Sequence, residues 1–472
     1  MKKTIFALIC CSILALNSTL TSAAIRLPAI IGSHMVLQQK SDVNLWGWCG
    51  PAEMVTIKTS WDTITYHTKG GSSAKWITKI KTPAAGGPYT ITINETTILE
   101  DVMIGETWLC SGQSNMEWSG DQGLKQCLEE MPNATNQKIR FFYVQKSTSE
   151  FPQENCSGSW KVCSPEEMKH FSAVGYFFGK KLQQDLSVPI GLINSNWGGT
   201  AAEVWTPKDE VENNPELSNA AKKIAPLDWW PNLPGLAYNA MINPITNFEI
   251  AGAIWYQGES NVPTYASYKQ LLSKMIGSWR KAWNKEFPFY YVQIAPFSGY
   301  GHNELCALQR ETMTKCLSIP KTGMVVISDL VEDIKNIHPI NKIDVSARLA
   351  TIALAETYGK GGLNYKFPIY KAMTKEKDKI RISFENADNG LMAKDKTITE
   401  VYISGDDRQF QPAIAKIDGN TLVVWNKAIK DPAAVRFGFT NIAMPNLFNK
   451  EGLPVNLFRT DNWDVATSPE KQ

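Results

Sequence analysis

The chain has 472 residues, of which 43% are hydrophobic and 20% are charged, a composition typical of a soluble globular protein with two or three domains. The 48 lysines and arginines nearly balance the 46 aspartates and glutamates, so the chain has no basic field that would bind nucleic acid. Composition and charge therefore indicate a partner that is neutral or is recognised through local contacts.

The N-terminal segment, residues 1–24, has the features of a secretory signal peptide. Lys2 and Lys3 precede an apolar run over residues 5–16, and small residues close the segment. The apolar run is shorter than the ~20 residues that a membrane span requires. We therefore expect an exported protein, periplasmic or extracellular, without a membrane span. Without the two lysines, the basic and acidic counts become 46 and 46.

Seven cysteines follow the signal segment, and an odd number leaves at least one thiol free in an oxidising compartment. They stand at positions 49, 110, 127, 156, 163, 306 and 316. Cys156 and Cys163 flank a short loop that contains glycine and serine, and they could form a disulfide. No Cys or His spacing suits zinc, so the sequence predicts neither a metal site nor a cofactor.

Residues 25–100 are predicted to form an N-terminal β-rich domain. Their segments alternate or cluster β-branched and aromatic residues between glycine and proline turns. These segments are DVNLWGW, MVTIKTSW, WITKIKT and YTITINE.

Residues 101–360 are predicted to form an α/β domain. Short apolar strands alternate there with amphipathic helices, and this order indicates a mostly parallel sheet covered by helices on both faces. The predicted strands are 107–110, 190–194, 251–256, 289–294 and 324–328, and the predicted helices include residues 174–182, 268–279, 305–313 and 345–353.

Residues 361–472 return to β-type patterns, such as IRISF, EVYISG, LVVWN and AVRFGF. The DGN sequence at 418–420 stands where a hairpin turn is expected. We interpret this part as a C-terminal β-rich region that could pack on the N-terminal one.

Ligands of open α/β sheets bind beyond the carboxyl ends of the strands, so the loops that leave the predicted strands are the candidate site. Four of these loops are polar and contain glycine or a histidine. They are SGQSNM at 111–116, NWGGT at 196–200, QGESN at 257–261 and DLVEDIKNIHP at 329–339. Because parallel strands end at one edge of the sheet, we expect these loops to converge.

Ser114 is the candidate nucleophile in the first of these loops. Taken alone, a serine among glycine and asparagine usually makes a turn, and Met116 excludes the G-x-S-x-G elbow. A serine between a first strand and a helix nevertheless has backbone N–H groups that can stabilise an oxyanion. A nucleophilic serine also needs a base, and His338 is the histidine that follows a predicted sheet strand and opens a helix.

Two further loops supply polar groups. Gly198 and Gly199 let the backbone approach a ligand closely, and their N–H groups could donate to an oxyanion. Gln257 is a side-chain donor, and Glu259 is an acid or an orienting group. Buried without partners, these polar groups would be costly, so a polar site or network is expected there.

Five motifs are similar to those of the sialate O-acetylesterases, which are carbohydrate esterases within the SGNH-hydrolase group. The motifs are WLCSGQSNMEW, NSNWGGTAAEVW, YNAMINPI, IWYQGESN and IHPINK followed by ARLA. They occur in order over residues 101 to about 355, and HMVLQQ and LPVNLFRTDNW outside this range also resemble the family.

The resemblance implies an SGNH-type three-layer α/β/α catalytic domain that removes acetyl groups from sugar hydroxyls without a metal. Ser114 matches the nucleophile and His338 the general base. The N–H groups of Ser114 and Gly199, or of the neighbouring Gly198, match the oxyanion donors, and Gln257 would supply a third one.

The acid that orients His338 departs from the usual SGNH pattern. Many of these enzymes have an aspartate three residues before the histidine, where this chain has Lys335. Asp329 is our expectation, and Asp333 and Glu259 are alternatives. A dyad oriented by a backbone carbonyl also stays open.

The substrate expected from the resemblance is an O-acetylated sugar or glycan. Trp118, Trp197 and Trp205, and the pair Trp229–Trp230, lie near the candidate loops in sequence, and we expect one or two of them to stack on the sugar. An acetylxylan esterase is the alternative enzyme, because the same chemistry serves plant glycans. A non-catalytic carbohydrate-binding protein is the alternative of another class, in which Ser114 and His338 would be structural.

Overall fold

The computed structural model describes residues 25–301 and 304–465, so the predicted signal peptide lies outside the described residues. The N-terminal part contains short strands, most of them in antiparallel pairs, as its alternating sequence predicts. In chain order these are β1 (Val36–Gln38), β2 (Asp42–Trp48), β3 (Met54–Thr59), β4 (Thr65–Lys69), β5 (Lys75–Lys81) and β6 (Gly86–Ile93).

Strand β7 (Thr97–Gly112) joins the N-terminal strands to the central sheet. Its first half pairs antiparallel with β6, and its second half lies parallel to two strands of the central sheet. From Val102 onward every residue of β7 is buried. The strand runs through the predicted domain boundary at residue 100, and one hydrophobic cluster includes residues from both sides of it.

The middle of the chain alternates strands and helices. Its elements are α1 (Ser114–Glu117), α2 (Lys125–Glu130), β8 (Asn136–Tyr143), β9 (Trp160–Cys163), α3 (Pro165–His170), α4 (Ala173–Leu186), β10 (Ile190–Asn196), α5 (Lys208–Glu212), α6 (Pro215–Ala221), β11 (Gly252–Tyr256), α7 (Tyr265–Trp283), β12 (Phe289–Val292), α8 (Leu305–Lys315), β13 (Thr322–Val325) and α9 (Lys342–Ile352).

The central sheet has the strand order β13-β12-β11-β7-β10-β8-β9. All neighbours are parallel except β8 and β9, which form an antiparallel pair. The mostly parallel sheet expected from the sequence is therefore confirmed. Strands β8 and β9 were not predicted, because the polar first half of β8 and the four-residue length of β9 hide their patterns.

Side chains along a strand alternate in direction, so the buried strands present apolar side chains on both faces of the sheet. Helices cover both faces. On one face, Trp108 of β7 contacts Phe178 of α4 with ring centroids 5.1 Å apart, and α4 packs against α9. On the other face, Trp255 of β11 contacts Trp279 of α7 at 5.9 Å, and α7 packs against α8. The result is three layers.

The position of β7 within the sheet determines where a ligand can bind. The chain adds β8 and β10 on one side of β7 and then β11, β12 and β13 on the other side. The order therefore reverses at β7, and the crevice beyond such a switch point is the usual ligand site of an open α/β sheet. Ser114 begins α1 immediately beyond this end of β7.

The C-terminal part is β-rich, as expected, and has a hydrophobic cluster of its own. Its strands are β14 (Ile369–Glu376), β15 (Lys379–Glu385), β16 (Leu391–Ala393), β17 (Val401–Ser404), β18 (Gln411–Pro412), β19 (Ile414–Asp418), β20 (Thr421–Trp425), β21 (Ala434–Phe437), β22 (Leu447–Asn449) and β23 (Phe458–Arg459). The predicted turn at 418–420 joins β19 to β20 as a hairpin.

Helix α8 is the part of the central domain on which this C-terminal region packs. Phe439 and Leu457 cluster with Ala307 and Leu308, and Arg459 forms an ion pair with Glu311 at 2.8 Å. Across the described residues, no helix combines the length and the apolar character that crossing a membrane requires.

Candidate active site

The turn that carries Ser114 depends on Gly112. This residue has φ +139°, and a Cβ there would lie 2.2 Å from the carbonyl oxygen of Tyr256 on β11. Only glycine tolerates both the conformation and the close approach. The next residue, Gln113, donates its N–H to the same carbonyl at 3.0 Å. Strand β11 therefore fixes the direction in which the chain turns into Ser114.

The structure brings Ser114 and His338 together. Ser114 Oγ lies 2.9 Å from Nε2 of His338, although the two residues come from opposite ends of the domain. The loop from β13 delivers His338, and the side chain of Asn336 accepts a hydrogen bond from the His338 N–H at 2.9 Å. Trp118, one turn after Ser114, stacks on the imidazole with ring centroids 4.2 Å apart and planes at 22°.

The environment of His338 favours a neutral imidazole. Burial lowers its pKa to about 4, and the positive charge of Lys342 acts in the same direction. At neutral pH the ring is therefore unprotonated and can accept a proton from a hydroxyl. Among the described residues, no hydrogen-bond partner contacts its other nitrogen, Nδ1.

None of the three carboxylates considered for His338 bonds to it within the described part of the chain. Both oxygens of Asp329 accept hydrogen bonds from Arg348, at 2.8 and 2.7 Å. Asp333 is exposed and accepts from a backbone N–H of its own loop. Glu259 bonds to an asparagine instead, as described below. This corrects the expectation for Asp329, whose carboxylate is committed to an ion pair on α9.

The backbone N–H groups near Ser114 differ in whether they already have a hydrogen-bond acceptor. The N–H of Gly198 donates to the carboxylate of Glu117, which stands three residues after the serine on α1. The N–H of Gly199 has no acceptor among the described residues, and neither has the N–H of Ser114, which opens α1. These last two groups are therefore available to a ligand oxygen.

Gln257 does not reach this site, which corrects its expected role as an oxyanion donor. Its side-chain N–H₂ group donates to Asn261 Oδ1 at 2.8 Å and to the carbonyl of Thr200 at 3.3 Å. Its side-chain oxygen accepts from the Tyr268 hydroxyl at 3.0 Å. The amide is fully buried, so it braces the loops behind the site.

A cavity of about 520 Å³ opens onto Ser114 and His338. Four tryptophans form the aromatic part of its wall, Trp118, Trp197, Trp229 and Trp230. Its charged groups include an ion pair between Lys146 and Glu117. Trp197 and Trp118 thus lie where they were expected, at the wall of the candidate site, although one face of Trp118 is occupied by His338.

Trp205 lies in the core instead, which corrects its expected role in sugar stacking. Its side chain is fully buried, its indole N–H donates to Thr200 Oγ1 at 2.9 Å, and its ring meets Trp255 edge-on. Trp229 and Trp230, which follow a loop after α6, take its place at the cavity.

Sequence reasoning missed the charged residues around the site. Glu117 follows Ser114 by three residues on the same helix, a spacing that places both on one face. Lys342 follows His338 by four residues within the IHPINK motif. These two spacings are signals that the sequence offered. Lys146 stands on a loop after β8, and no local pattern marks it.

The described residues hold neither a disulfide nor a cluster of His, Cys, Asp or Glu that would bind a metal ion. Cys156 and Cys163 are free thiols, contrary to the pairing considered above, and burial raises both of their pKa values to about 12. The thiol of Cys163 donates to the carbonyl of Ala134 at 2.8 Å.

Comparison with known proteins identifies the family to which the chain is similar. The sequence model of the family described as "SASA: Carbohydrate esterase, sialic acid-specific acetylesterase" matches residues 105–355, which is more than half of the chain. Sialate O-acetylesterase of Mus musculus is 28% identical over 496 aligned residues, covering 91% of this chain and 92% of the mouse protein. Human sialate O-acetylesterase is 29% identical and covers 73% of each chain.

A solved structure supports the same conclusion. The crystal structure of a carbohydrate acetylesterase from Xanthomonas citri has 34% sequence identity and a TM-score of 0.84, covering 93% of this chain and 100% of that one. The fold and these relatives define the chain as a carbohydrate esterase, a hydrolase of carboxylic esters. It belongs to the sialic acid-specific acetylesterase family, and the expected SGNH-type α/β/α fold is confirmed.

The contrast between two tryptophans gives a testable prediction. Trp205→Ala should lower the free energy of unfolding by roughly 3–5 kcal/mol, because it removes a fully buried indole. Trp229 is 65% exposed, so Trp229→Ala should change it by no more than about 0.5 kcal/mol. Urea unfolding followed by circular dichroism measures both. Equal losses in the two variants would contradict the core position of Trp205.

Proposed function

We propose that this esterase removes acetyl groups from sugar hydroxyls, with Ser114 as nucleophile and His338 as general base. The 2.9 Å contact between Ser114 Oγ and His338 Nε2 carries the proposal, because a serine hydroxyl becomes nucleophilic only beside a base. The open cavity beyond this pair and the membership of an esterase family support it.

In the first step, Ser114 Oγ attacks the acetyl carbonyl carbon while its proton passes to Nε2 of His338. The carbonyl oxygen becomes an oxyanion, which the N–H groups of Ser114 and Gly199 stabilise. Loss of one such donor typically raises the activation free energy by about 3 kcal/mol. The tetrahedral intermediate then releases the sugar oxygen, which takes the proton from His338, and Ser114 is left acetylated.

In the second step, a water molecule gives its proton to His338 and adds to the acetyl carbon. The new intermediate collapses, Ser114 Oγ recovers a proton from His338, and acetate leaves. The same nitrogen thus acts twice as base and twice as acid. Its pKa of about 4 keeps it unprotonated between turnovers at neutral pH.

The ring of His338 is held by stacking in this proposal. A carboxylate on Nδ1 usually fixes the tautomer and the orientation of a catalytic histidine. Trp118 covers one face of the imidazole here, and the turn made by Asn336 fixes the backbone beneath it. The pair would therefore work as a dyad whose base is positioned by an aromatic face.

The sugar is proposed to lie against the aromatic wall of the cavity, with Trp197, Trp229 and Trp230 as stacking surfaces. An acetylated sialic acid is the preferred substrate, since the curated relatives are sialate O-acetylesterases. Acetylated xylan is the alternative, and one observation favours it. The carboxylate of a sialic acid would need a cation in the cavity. Lys146 is the lysine among the described residues that line the cavity, and its charge is already neutralised by Glu117.

Export to the periplasm or the medium is part of the same proposal. Its support is the pattern of residues 1–24, a basic start followed by a short apolar run and small residues.

Serine substitutions within one motif test the nucleophile. Ser114→Ala should lower kcat/KM for p-nitrophenyl acetate by roughly 10⁴- to 10⁶-fold. Ser111→Ala is the matched control, because the Ser111 hydroxyl is buried without a partner in the described structure, and it should keep the parental rate. Parental activity in Ser114→Ala, measured on protein free of contaminating esterase, would refute the proposed nucleophile.

The pH dependence tests the base. Protonated His338 cannot accept the serine proton, so kcat/KM should rise as pH increases through a pKa of about 4 and then stay level toward neutrality. An ordinary exposed histidine would instead place this rise near ~6.5, as the sequence alone suggests. Initial rates of acetate release from pH 3 to 8, with folding checked by circular dichroism, distinguish the two.

A matched pair of substrates tests the recognised sugar. We expect faster acetate release from 9-O-acetyl sialic acid than from acetylated xylan. Lys146→Met should raise KM for the sialic acid about tenfold, the loss expected for one charged hydrogen bond, and should leave KM for its carboxylate methyl ester unchanged. Faster turnover of xylan, with no effect of Lys146→Met, would favour the alternative.

A further inference from the structure

A buried lysine lies directly behind the proposed catalytic pair. Lys342 is the first residue of α9 and has no exposed surface. Its ammonium donates to Asn115 Oδ1 at 2.7 Å. Asn115 is the residue after Ser114, and Lys342 follows His338 by four positions, so this single bond joins the nucleophile loop to the histidine loop.

This position is unfavourable for a cation. Removing an ammonium group from water costs several kcal/mol unless partners compensate, and the N-terminus of a helix attracts negative rather than positive charge. A methionine would fill a similar volume without either cost. The charge of Lys342 therefore contributes little to the stability of the fold by itself, and its contacts indicate what else it does.

Asn115 connects the lysine to two further parts of the site. Its side-chain N–H₂ group donates to Glu259 Oε1 at 2.6 Å and to the carbonyl oxygen of Ile337 at 3.0 Å. Ile337 directly precedes His338, and Glu259 stands on the loop after β11. One fully buried amide thus bonds to a lysine, a glutamate and the backbone beside the catalytic histidine.

The charged and titratable groups that face Lys342 come from four elements. Glu259 lies beyond β11 and supplies the opposing charge, with its second oxygen buried and unpaired in the described structure. The ring of Tyr256 at the end of β11 lies 5.2 Å from the ammonium. Cys127 on α2 and His338 on the preceding loop complete the set.

We propose that Lys342 is a positioning residue of the esterase reaction, whose ammonium group, bonded to Asn115 and balanced by Glu259, holds the nucleophile loop against the histidine loop. The inference rests on the proposed function of Ser114 and His338. Lys342 touches neither the substrate nor the reacting atoms, and it acts through Asn115 on the place of Ser114 and through its charge on His338.

The charge has a consequence that a purely structural lysine would not have. A cation near His338 disfavours the imidazolium form and lowers the pKa of the ring. Removing the cation must raise this pKa, so the rise of kcat/KM with pH must move to higher pH. Burial also lowers the pKa of Lys342 itself, to about 7, and the group stays cationic in the acidic range where His338 titrates.

Two neutral substitutions and one charged substitution test the proposal on p-nitrophenyl acetate. Lys342→Met removes the charge and the donor, and should lower kcat roughly 10- to 100-fold, the range expected for a misplaced catalytic group. Lys342→Gln removes the charge but keeps a donor for Asn115, and should lose less. Both should shift the rise of kcat/KM to higher pH, whereas Lys342→Arg should restore the parental profile at least in part.

A distant lysine provides the control. Lys285 forms an ion pair with Glu249 at the opposite end of β11, so Lys285→Met removes an equivalent charge without contact to the site and should keep the parental pH profile. Folding of each variant is checked by circular dichroism, and Lys342→Gln carries the test if Lys342→Met does not fold.

The inference is overturned if the folded Lys342→Gln or Lys342→Met enzyme keeps the parental kcat and the parental rise with pH. It is also overturned if Lys285→Met shifts the profile equally. Activity that survives in Ser114→Ala would refute the proposed nucleophile, and with it the reaction on which this inference rests. An inactive Ser114→Ala enzyme together with unaltered Lys342 variants would refute the role of the lysine alone.

Discussion

The hydrogen bond between Ser114 and His338 joins residues 224 positions apart in the chain, and the chemistry proposed for the site depends on keeping the two atoms at that distance. A displacement of about 1 Å between catalytic groups can cost roughly 100-fold in rate. The structure restricts both ends. Gly112 allows the turn that carries Ser114 to lie directly against β11. The side chain of Asn336 accepts a hydrogen bond from the N–H of His338 and so forms a turn just before the histidine.

The proposed base, His338, has no carboxylate partner among the described residues, and a set of weaker restraints surrounds it instead. Trp118 stacks on the ring, and Asn115 donates to the carbonyl oxygen of Ile337 beside His338 and accepts from the ammonium of Lys342. A ring with a low pKa is neutral and free to accept a proton at neutral pH, but it is a weaker base than an ordinary histidine. In the proposed mechanism, the rate then depends on alignment and on the oxyanion donors more than on basicity.

More of the fold than of the candidate site could be predicted from the sequence. Apolar strands alternating with helices imply a parallel sheet, and the ends of parallel strands share an edge, so the convergence of the four loops followed from topology alone. Side-chain direction did not follow. Asp329 was expected to face His338 but meets Arg348, which lies 19 positions later on α9. Gln257 and Trp205 stand in loops of the site, yet both point into the core, because neighbouring polar or aromatic groups there satisfy them.

The buried thiols have a consequence for how this chain behaves when it opens. Of the seven cysteines among the described residues, six are buried and Cys156 is partly buried, and all seven are free. In the folded state burial keeps them as thiols, the form that reacts slowly with disulfides and alkylating reagents. A thiol reagent therefore labels those molecules in which the core has opened. The cysteines of the central sheet and of α8 report on the opening of separate regions. The buried thiols are thus natural probes for local unfolding, and they are distributed through the layers that hold the loops of the candidate site.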